Sequence, residues 1–234
     1  MAGPVEFDEH AADYQMHHAR NIAITGEEPE FFAEYKIADA LGAARREGIQ
    51  CNAILDFGAG IGGSIPFFRT HFPSGALTCA DVSARSLGMA SARFPGDERM
   101  VAIDETAGLA LPNDSFDLCF SACVFHHIAH ERHGFWLREL RRVTRPGGLL
   151  IVFEHNPLNP LTVRAVNTCP FDVNAHLIGA TALTKSVADA GWQAPRVRYR
   201  LFFPRLLAKL RPIERFLTWC PLGAQYYVRA RKPA

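Results

Sequence analysis

Ile54–Ser64 reads ILDFGAGIGGS, and the rest of the chain falls into place around it. Ile54 and Leu55 end an apolar run that starts at Cys51, which predicts a short buried strand. Asp56 closes that strand. Gly58, Gly60, Gly62 and Gly63 then follow within six residues. Glycine at this density lets a backbone turn at positive φ and come close to a ligand. Ser64 to His71 can open a helix, with Pro66 tolerated in its first turn. A strand, a glycine turn and a helix start together make the first βα unit of a nucleotide-binding sheet.

Gly58, Gly60 and Gly63 also satisfy the G-x-G-x-x-G spacing of dinucleotide sites. Asp56 leans the other way. A pyrophosphate gains nothing from an anion beside it, whereas a ligand with a cationic amino acid end, such as S-adenosylmethionine, does. Asp81 ends the next predicted strand, 21 residues beyond Gly60, where an acid accepts hydrogen bonds from ribose hydroxyls.

The 234 residues, 48% hydrophobic and 21% charged, suit one α/β domain with a full core. No apolar run approaches the ~20 residues of a membrane-spanning helix. Met1 to His10 is acidic and has no apolar signal core, and six scattered cysteines without metal spacing read as reduced thiols of a cytoplasmic protein. The net charge of +1 is uneven. Ten Lys and Arg face one acid, Glu214, from Arg196 to Ala234, which leaves 15 basic and 23 acidic groups in the remainder.

In chain order, Glu30–Glu47 is a predicted helix ended by Gly48. Strands are expected over Ala76–Ala80, Met100–Ile103, Ser115–Cys123 and Leu149–Phe153. Helices follow the second and fourth, from Ser83 to about Arg93 and from Phe135 to Val143, the latter stopped by Pro146, Gly147 and Gly148. Asn156–Ile178 carries Pro157, Pro160 and Pro170 and breaks the rhythm. Thr181–Ala190 is a helix, Arg196–Phe203 a sixth strand, Leu206–Trp219 an apolar and basic helix interrupted by Pro212, and Gln225–Ala230 a last strand. Strands alternating with helices imply a parallel sheet with right-handed crossovers.

With those elements in place the chain resembles the class I S-adenosylmethionine-dependent methyltransferases, in their methyltransferase-type-11 group, from about Leu41 to Ala234. The resemblance rests on LDFGAGIGG, on Asp81, on LPNDSFDLCFSACVFHHI and on LRRVTRPGGLLIVFE, in that order. It implies a Rossmann-like α/β fold: seven strands, mostly parallel, an antiparallel last strand beside the sixth, and helices on both faces. Residues 1–40 would be an N-terminal lid segment and 41–234 the domain, with an acceptor-side insertion at about 155–180. The implied cofactor is S-adenosylmethionine. Asp56, Gly58, Ala59 and Gly60 would line its methionine end, Asp81 its ribose, and Val82, Asp104, Glu105 and Thr106 its adenine. Ser121 to His127 would flank the transfer centre, and Tyr14 and Lys36 are the lid-side candidates to reach the cofactor. EHNPLNPLT, with CPFD beyond it, resembles a bacterial subgroup whose members look like accessory enzymes of glycan or secondary-metabolite assembly.

Methyl transfer needs an in-line sulfonium and nucleophile, and an oxygen or ammonium acceptor also needs a base. His127 and His155 stand at strand ends as candidate bases, with Glu154 placed to orient or tune His155. His126, His130 and His133 could share a helix face, but no ligand pattern supports a metal. Cys119 and Cys123 read as core residues of strand four. The expected partner is a small-molecule acceptor, such as a sugar, a lipid-linked glycan or a natural product. Nucleic acid is not expected, because the asparagine-proline-proline-aromatic motif of base methyltransferases is missing after strand four. Residues 205–219 are a candidate for peripheral membrane contact, or alternatively close the acceptor pocket. Two other readings share the glycine spacing: an NAD-dependent oxidoreductase, and a non-catalytic cofactor-binding protein on the same fold.

Overall fold

A computed structural model describes residues 26–169 and 175–234. Seven strands form one sheet: β1 (Ala53–Phe57), β2 (Ala76–Asp81), β3 (Arg99–Ala102), β4 (Phe116–Ala122), β5 (Thr144–His155), β6 (Gln193–Arg200) and β7 (Gln225–Arg231). Their order is β3-β2-β1-β4-β5-β7-β6. Pairing is parallel from β3 through β5, and β7 runs antiparallel to both β5 and β6. This is the topology expected of the resemblance, with the last strand inserted beside the sixth.

Because side chains alternate along a strand, each central strand feeds both faces of the sheet. Leu55, Phe57, Cys119, Leu150 and Val152 face α4 (His130–Val143) and α6 (Ala180–Asp189). Ile54, Leu118, Phe120, Ile151 and Phe153 face the other way, toward α1 (Pro29–Arg46), α2 (Ile65–His71) and α3 (Ala84–Arg93). The helices present matching stripes, Ile37, Ala40 and Ala44 on α1 and Trp136, Leu137 and Leu140 on α4, all buried. Each fully buried Leu, Ile or Phe contributes roughly 1.5–3 kcal/mol. The expected boundary at 40/41 falls inside α1, whose residues on both sides of it belong to one core.

Three local expectations are corrected. Pro146, Gly147 and Gly148 do not merely stop α4, since β5 already begins at Thr144. They form an irregularity where the β4–β5 register shifts between Phe116 and Leu118. Gly147 takes a φ of +75°, and a Cβ on Gly148 would lie 2.9 Å from the Arg145 carbonyl oxygen. The segment after β5 contains a short helix, α5 (Pro160–Asn167), which proline permits by standing at its start. Asn159 caps it, accepting from the backbone N–H of Leu161 and Thr162. Finally, residues 205–216 form 3-10 turns with a kink at Leu207, not an α-helix. Pro212 lies inside them and lacks the N–H that a regular helix needs there.

Candidate active site

The glycine turn sits where the carboxyl ends of β1, β2 and β4 meet. Gly58, Gly60 and Gly62 have φ of +80°, +52° and +76°, and the N–H groups of Gly58 and Ala59 donate to the Ala80 carbonyl. Gly58 is required by packing: a Cβ there would lie 2.2 Å from Cγ2 of Val124. Gly60 is different, because a Cβ on it would meet nothing within 4 Å. Its backbone lines open space, as a ligand cradle requires. The Gly60 N–H donates to Oδ2 of Asp81 at 2.8 Å, and the Ser83 N–H donates to Oδ1 at 2.9 Å. The Asp81 carboxylate is thus fixed beside the turn.

Asp56 is 2% exposed, and its Oδ2 has no hydrogen-bond partner. Burial, with Asp81 repelling it, pushes its carboxyl up to about 7, against a smaller opposing pull from Lys36. A buried, unsatisfied acid beside an open glycine fits a cationic group of a ligand. Lys36 on α1 is buried as well and reaches Sγ of Cys123 at 3.4 Å. Ser121 is fully buried with its Oγ unpartnered. It lies opposite Phe57, whereas Asp56 lies opposite Phe120, so the two emerge on opposite faces of the sheet. Val82 and Ala59 are half-buried against those two faces.

Asp104, Glu105 and Thr106 are exposed on the loop after β3. Oδ1 of Asp104 accepts from the N–H and Oγ1 of Thr106 and from the Ala107 N–H, and these bonds hold its carboxyl below the usual range. Tyr14 lies outside the described residues, as does Asp172 in the acceptor-side segment.

The histidines expected as bases converge behind β4, with a different wiring from the one anticipated. Glu154 does not pair with its neighbour His155. It is fully buried, its Oε1 accepts from the Phe125 N–H, and its Oε2 meets Nδ1 of His126 at 2.6 Å. Burial raises its carboxyl, but His126, with smaller help from the charge of His155 and the Phe125 N–H, outweighs this and holds it below the usual range. With Glu154 ionised, Nδ1 is the protonated nitrogen of His126. The ring of His126 lies 4.1 Å from that of His127 and 5.2 Å from that of His155. His133 is occupied elsewhere, against the carbonyls of Phe125 and Ile128. Among the described residues no group of His, Cys, Asp and Glu could hold a metal ion.

Cys123 is not a core residue. Cys119 is buried, as expected, but Cys123 lies past the end of β4 with a φ of +59° and is half-buried. Burial raises its thiol, yet His155 and Lys36 together overcome this and bring it down to about 7. Gln225, at the start of β7, places Nε2 at 3.9 Å from Sγ of Cys123 and 3.4 Å from Nδ1 of His155, and its Oε1 accepts from the Tyr35 hydroxyl. Cys123 fell within the stretch from Ser121 to His127 expected to flank the transfer centre but was read as a core residue, whereas Gln225 and Tyr35 are site residues that sequence reasoning missed. Its place directly after β4 was the one local signal for Cys123, and nothing local marks Gln225.

Comparison with known proteins follows the same outline. Residues 55–152 match a family model described as a methyltransferase domain. The ubiquinone/menaquinone biosynthesis C-methyltransferase of Hahella chejuensis is 30% identical over 133 residues, covering 54% of this chain and 53% of that protein. A malonyl-[acyl-carrier protein] O-methyltransferase from the same organism is 30% identical over 116 residues, covering 50% and 40%. The chain thus spans about half or less of the length of these relatives. Among solved structures, an Aquifex aeolicus S-adenosylmethionine-dependent methyltransferase superposes with a TM-score of 0.62 at 17% identity, covering 88% of this chain and 94% of that one. Phosphoethanolamine N-methyltransferase 2 of Haemonchus contortus, in complex with S-adenosyl-L-methionine, gives 0.66 at 16% identity, covering 99% and 61%. The family match takes in Asp56, the glycine turn, Asp81 and the turn from Cys123 to His127, and it stops before Glu154, His155 and Gln225.

Proposed function

We propose, from the premise that this chain carries a class I S-adenosylmethionine-dependent methyltransferase domain, that it transfers the methyl group of S-adenosylmethionine to a small-molecule acceptor. The observation that carries this reading is Asp56, a buried carboxyl with an unpaired oxygen at the end of β1, with Gly60, whose Cβ position is empty, in the turn that follows. That arrangement suits the ammonium of an amino acid end and is wasted on a pyrophosphate. Asp81 holds the ribose, with Gly58, Ala59 and Gly60 beneath the methionine end. Val82, Asp104, Glu105 and Thr106 border the adenine.

When bound, the cofactor supplies an activated methyl on a sulfonium. The protein contributes position, dryness and proton handling. Lys36 closes the site from α1 and balances Asp56. His127 and His155 are the groups able to take a proton from an acceptor, since both are half-buried at the carboxyl end of the sheet. Glu154 is a positioning residue: it fixes the tautomer of His126, whose ring packs on both histidines. Ser121 offers its unpaired hydroxyl on the opposite face. A reducing, cytoplasmic compartment suits six cysteines that form no disulfide.

Calorimetry tests the assignment. S-adenosylhomocysteine should bind and NADH should not. Each charge-assisted bond lost is worth roughly 1.5–3 kcal/mol, so Asp81→Ala should weaken binding at least about tenfold. Asp81→Asn keeps an acceptor for the Gly60 or Ser83 N–H and separates ligand contact from damage to the turn. NADH binding without S-adenosylhomocysteine binding overturns the proposal. Transfer of a labelled methyl group into a metabolite extract then identifies the acceptor class.

A further inference from the structure

Nine large apolar side chains stand exposed among the described residues, and all of them lie in two segments, at 158–161 and 206–222. Leu206 is 93% exposed, Trp219 75% and Phe216 64%. Isolated exposed leucines are ordinary, but this concentration on one edge is not. The two segments are tied together. Nδ2 of Asn159 donates to the Leu222 carbonyl at 2.8 Å, and Nδ2 of Asn156 donates to the carbonyls of Pro221 and Gly223. Leu158, Leu161 and Leu222 are therefore held on one rim, contiguous with Trp219 and Phe216 along the chain. The rim adjoins the site, because Gln225 is three residues from Leu222 and His155 three from Leu158.

The exposed charge on the rim itself is basic, and Glu27 beside it is taken up by an ion pair with Arg211. Arg164, Arg205, Lys209 and Arg215 are exposed. Glu214, the single acid between Arg196 and Ala234, is buried and turned inward, its Oε1 accepting from the N–H groups of Phe202 and Phe203. A two-fold contact with a second copy would press this basic strip onto itself. Apolar tips interleaved with cations on a projecting segment match the boundary of an anionic bilayer.

We propose that the rim formed by 158–161 and 205–222 docks on an anionic lipid surface. Leucines and Trp219 enter the headgroup boundary, while Lys209, Arg215 and their neighbours meet lipid phosphates. Resting on the methyltransferase reading, the acceptor is then a membrane-borne amphiphile delivered to His155 and Gln225 from the lipid side.

Co-sedimentation with vesicles tests the docking without reading methyl transfer. The protein should sediment with vesicles of mixed phosphatidylserine and phosphatidylcholine. Near a surface each basic side chain is worth about a fivefold change in binding, so Lys209→Glu with Arg215→Glu should weaken it by at least about twenty-fivefold. Leu206→Ser with Trp219→Ser should release it as well, and high salt should weaken the wild type. All four residues are exposed, and unchanged melting temperatures and S-adenosylhomocysteine binding show that the variants fold. No sedimentation of the wild type overturns the proposal, and so does equal binding to pure phosphatidylcholine. A dimer lost on Trp219→Ser, with no vesicle binding, assigns the rim to a second copy and overturns it too. Failure to bind S-adenosylhomocysteine, with docking intact, removes the proposed function and leaves the docking standing.

Discussion

Cofactor affinity should depend on pH through a single side chain, Asp56. In the free protein its carboxyl titrates at about 7, because burial and Asp81 both oppose its charge. A ligand ammonium needs it ionised. At pH 6 about one molecule in ten carries the ionised form, and at pH 5 about one in a hundred, so apparent affinity falls by those factors relative to the plateau above pH 7. Binding of S-adenosylhomocysteine should therefore strengthen about tenfold per unit from pH 5 to 7 and then level off. Calorimetry at pH 6 in buffers of different ionisation enthalpy should show close to one proton released per ligand bound. Asp56→Asn should bind more weakly above pH 7 and lose both the slope and the proton release.

The sign for stability runs the other way. A carboxyl raised in the fold binds its proton more tightly there than in the unfolded chain, where it titrates near 3.9. Its contribution to stability is thus complete below about pH 4 and is lost as pH rises toward 7. Saturating ligand should remove this loss. A wild-type affinity that is flat between pH 5 and 7, with the fold intact, would falsify the placement of Asp56 against the ligand ammonium. The same slope in Asp56→Asn would assign the titration to another group.

Three further outcomes are expected. Gly60→Val should abolish S-adenosylhomocysteine binding with secondary structure retained, since a β-branched side chain at a φ of +52° would project into the open cradle; normal affinity by calorimetry places the ligand elsewhere. Glu154→Ala should destabilise the protein by about 3 kcal/mol or more in denaturant titration, because it strips a buried histidine and the Phe125 N–H of their acceptor. As the Glu154 carboxyl is held below its ordinary value, its contribution is present above about pH 4.3 and is lost as pH falls further, so the variant's acid unfolding should begin from a flatter profile. His155→Ala should lower methyl transfer tenfold or more while cofactor affinity stays within about threefold, and wild-type turnover in a labelled-methyl assay excludes His155 as the base.

What the sequence determined was local. Positive φ at the glycine turn is written into Gly58, Gly60 and Gly62, and the alternating apolar runs announced every strand, because both depend on residues close along the chain. Asp56 and Asp81 were legible for the same reason, each standing at a strand end at a fixed distance from the turn. The wiring of the candidate centre was not. Glu154 found His126, 28 residues away, and not its neighbour His155, because successive side chains of a strand point to opposite faces. Cys123 acquired its environment from Lys36 and Gln225, 87 and 102 residues distant, and only the insertion of β7 beside β5 brings Gln225 there. The helical spacing over 206–219 likewise promised an amphipathic α-helix. Pro212 and the kink at Leu207 turned it into 3-10 turns, which hold their apolar side chains out from the sheet edge and leave them uncovered.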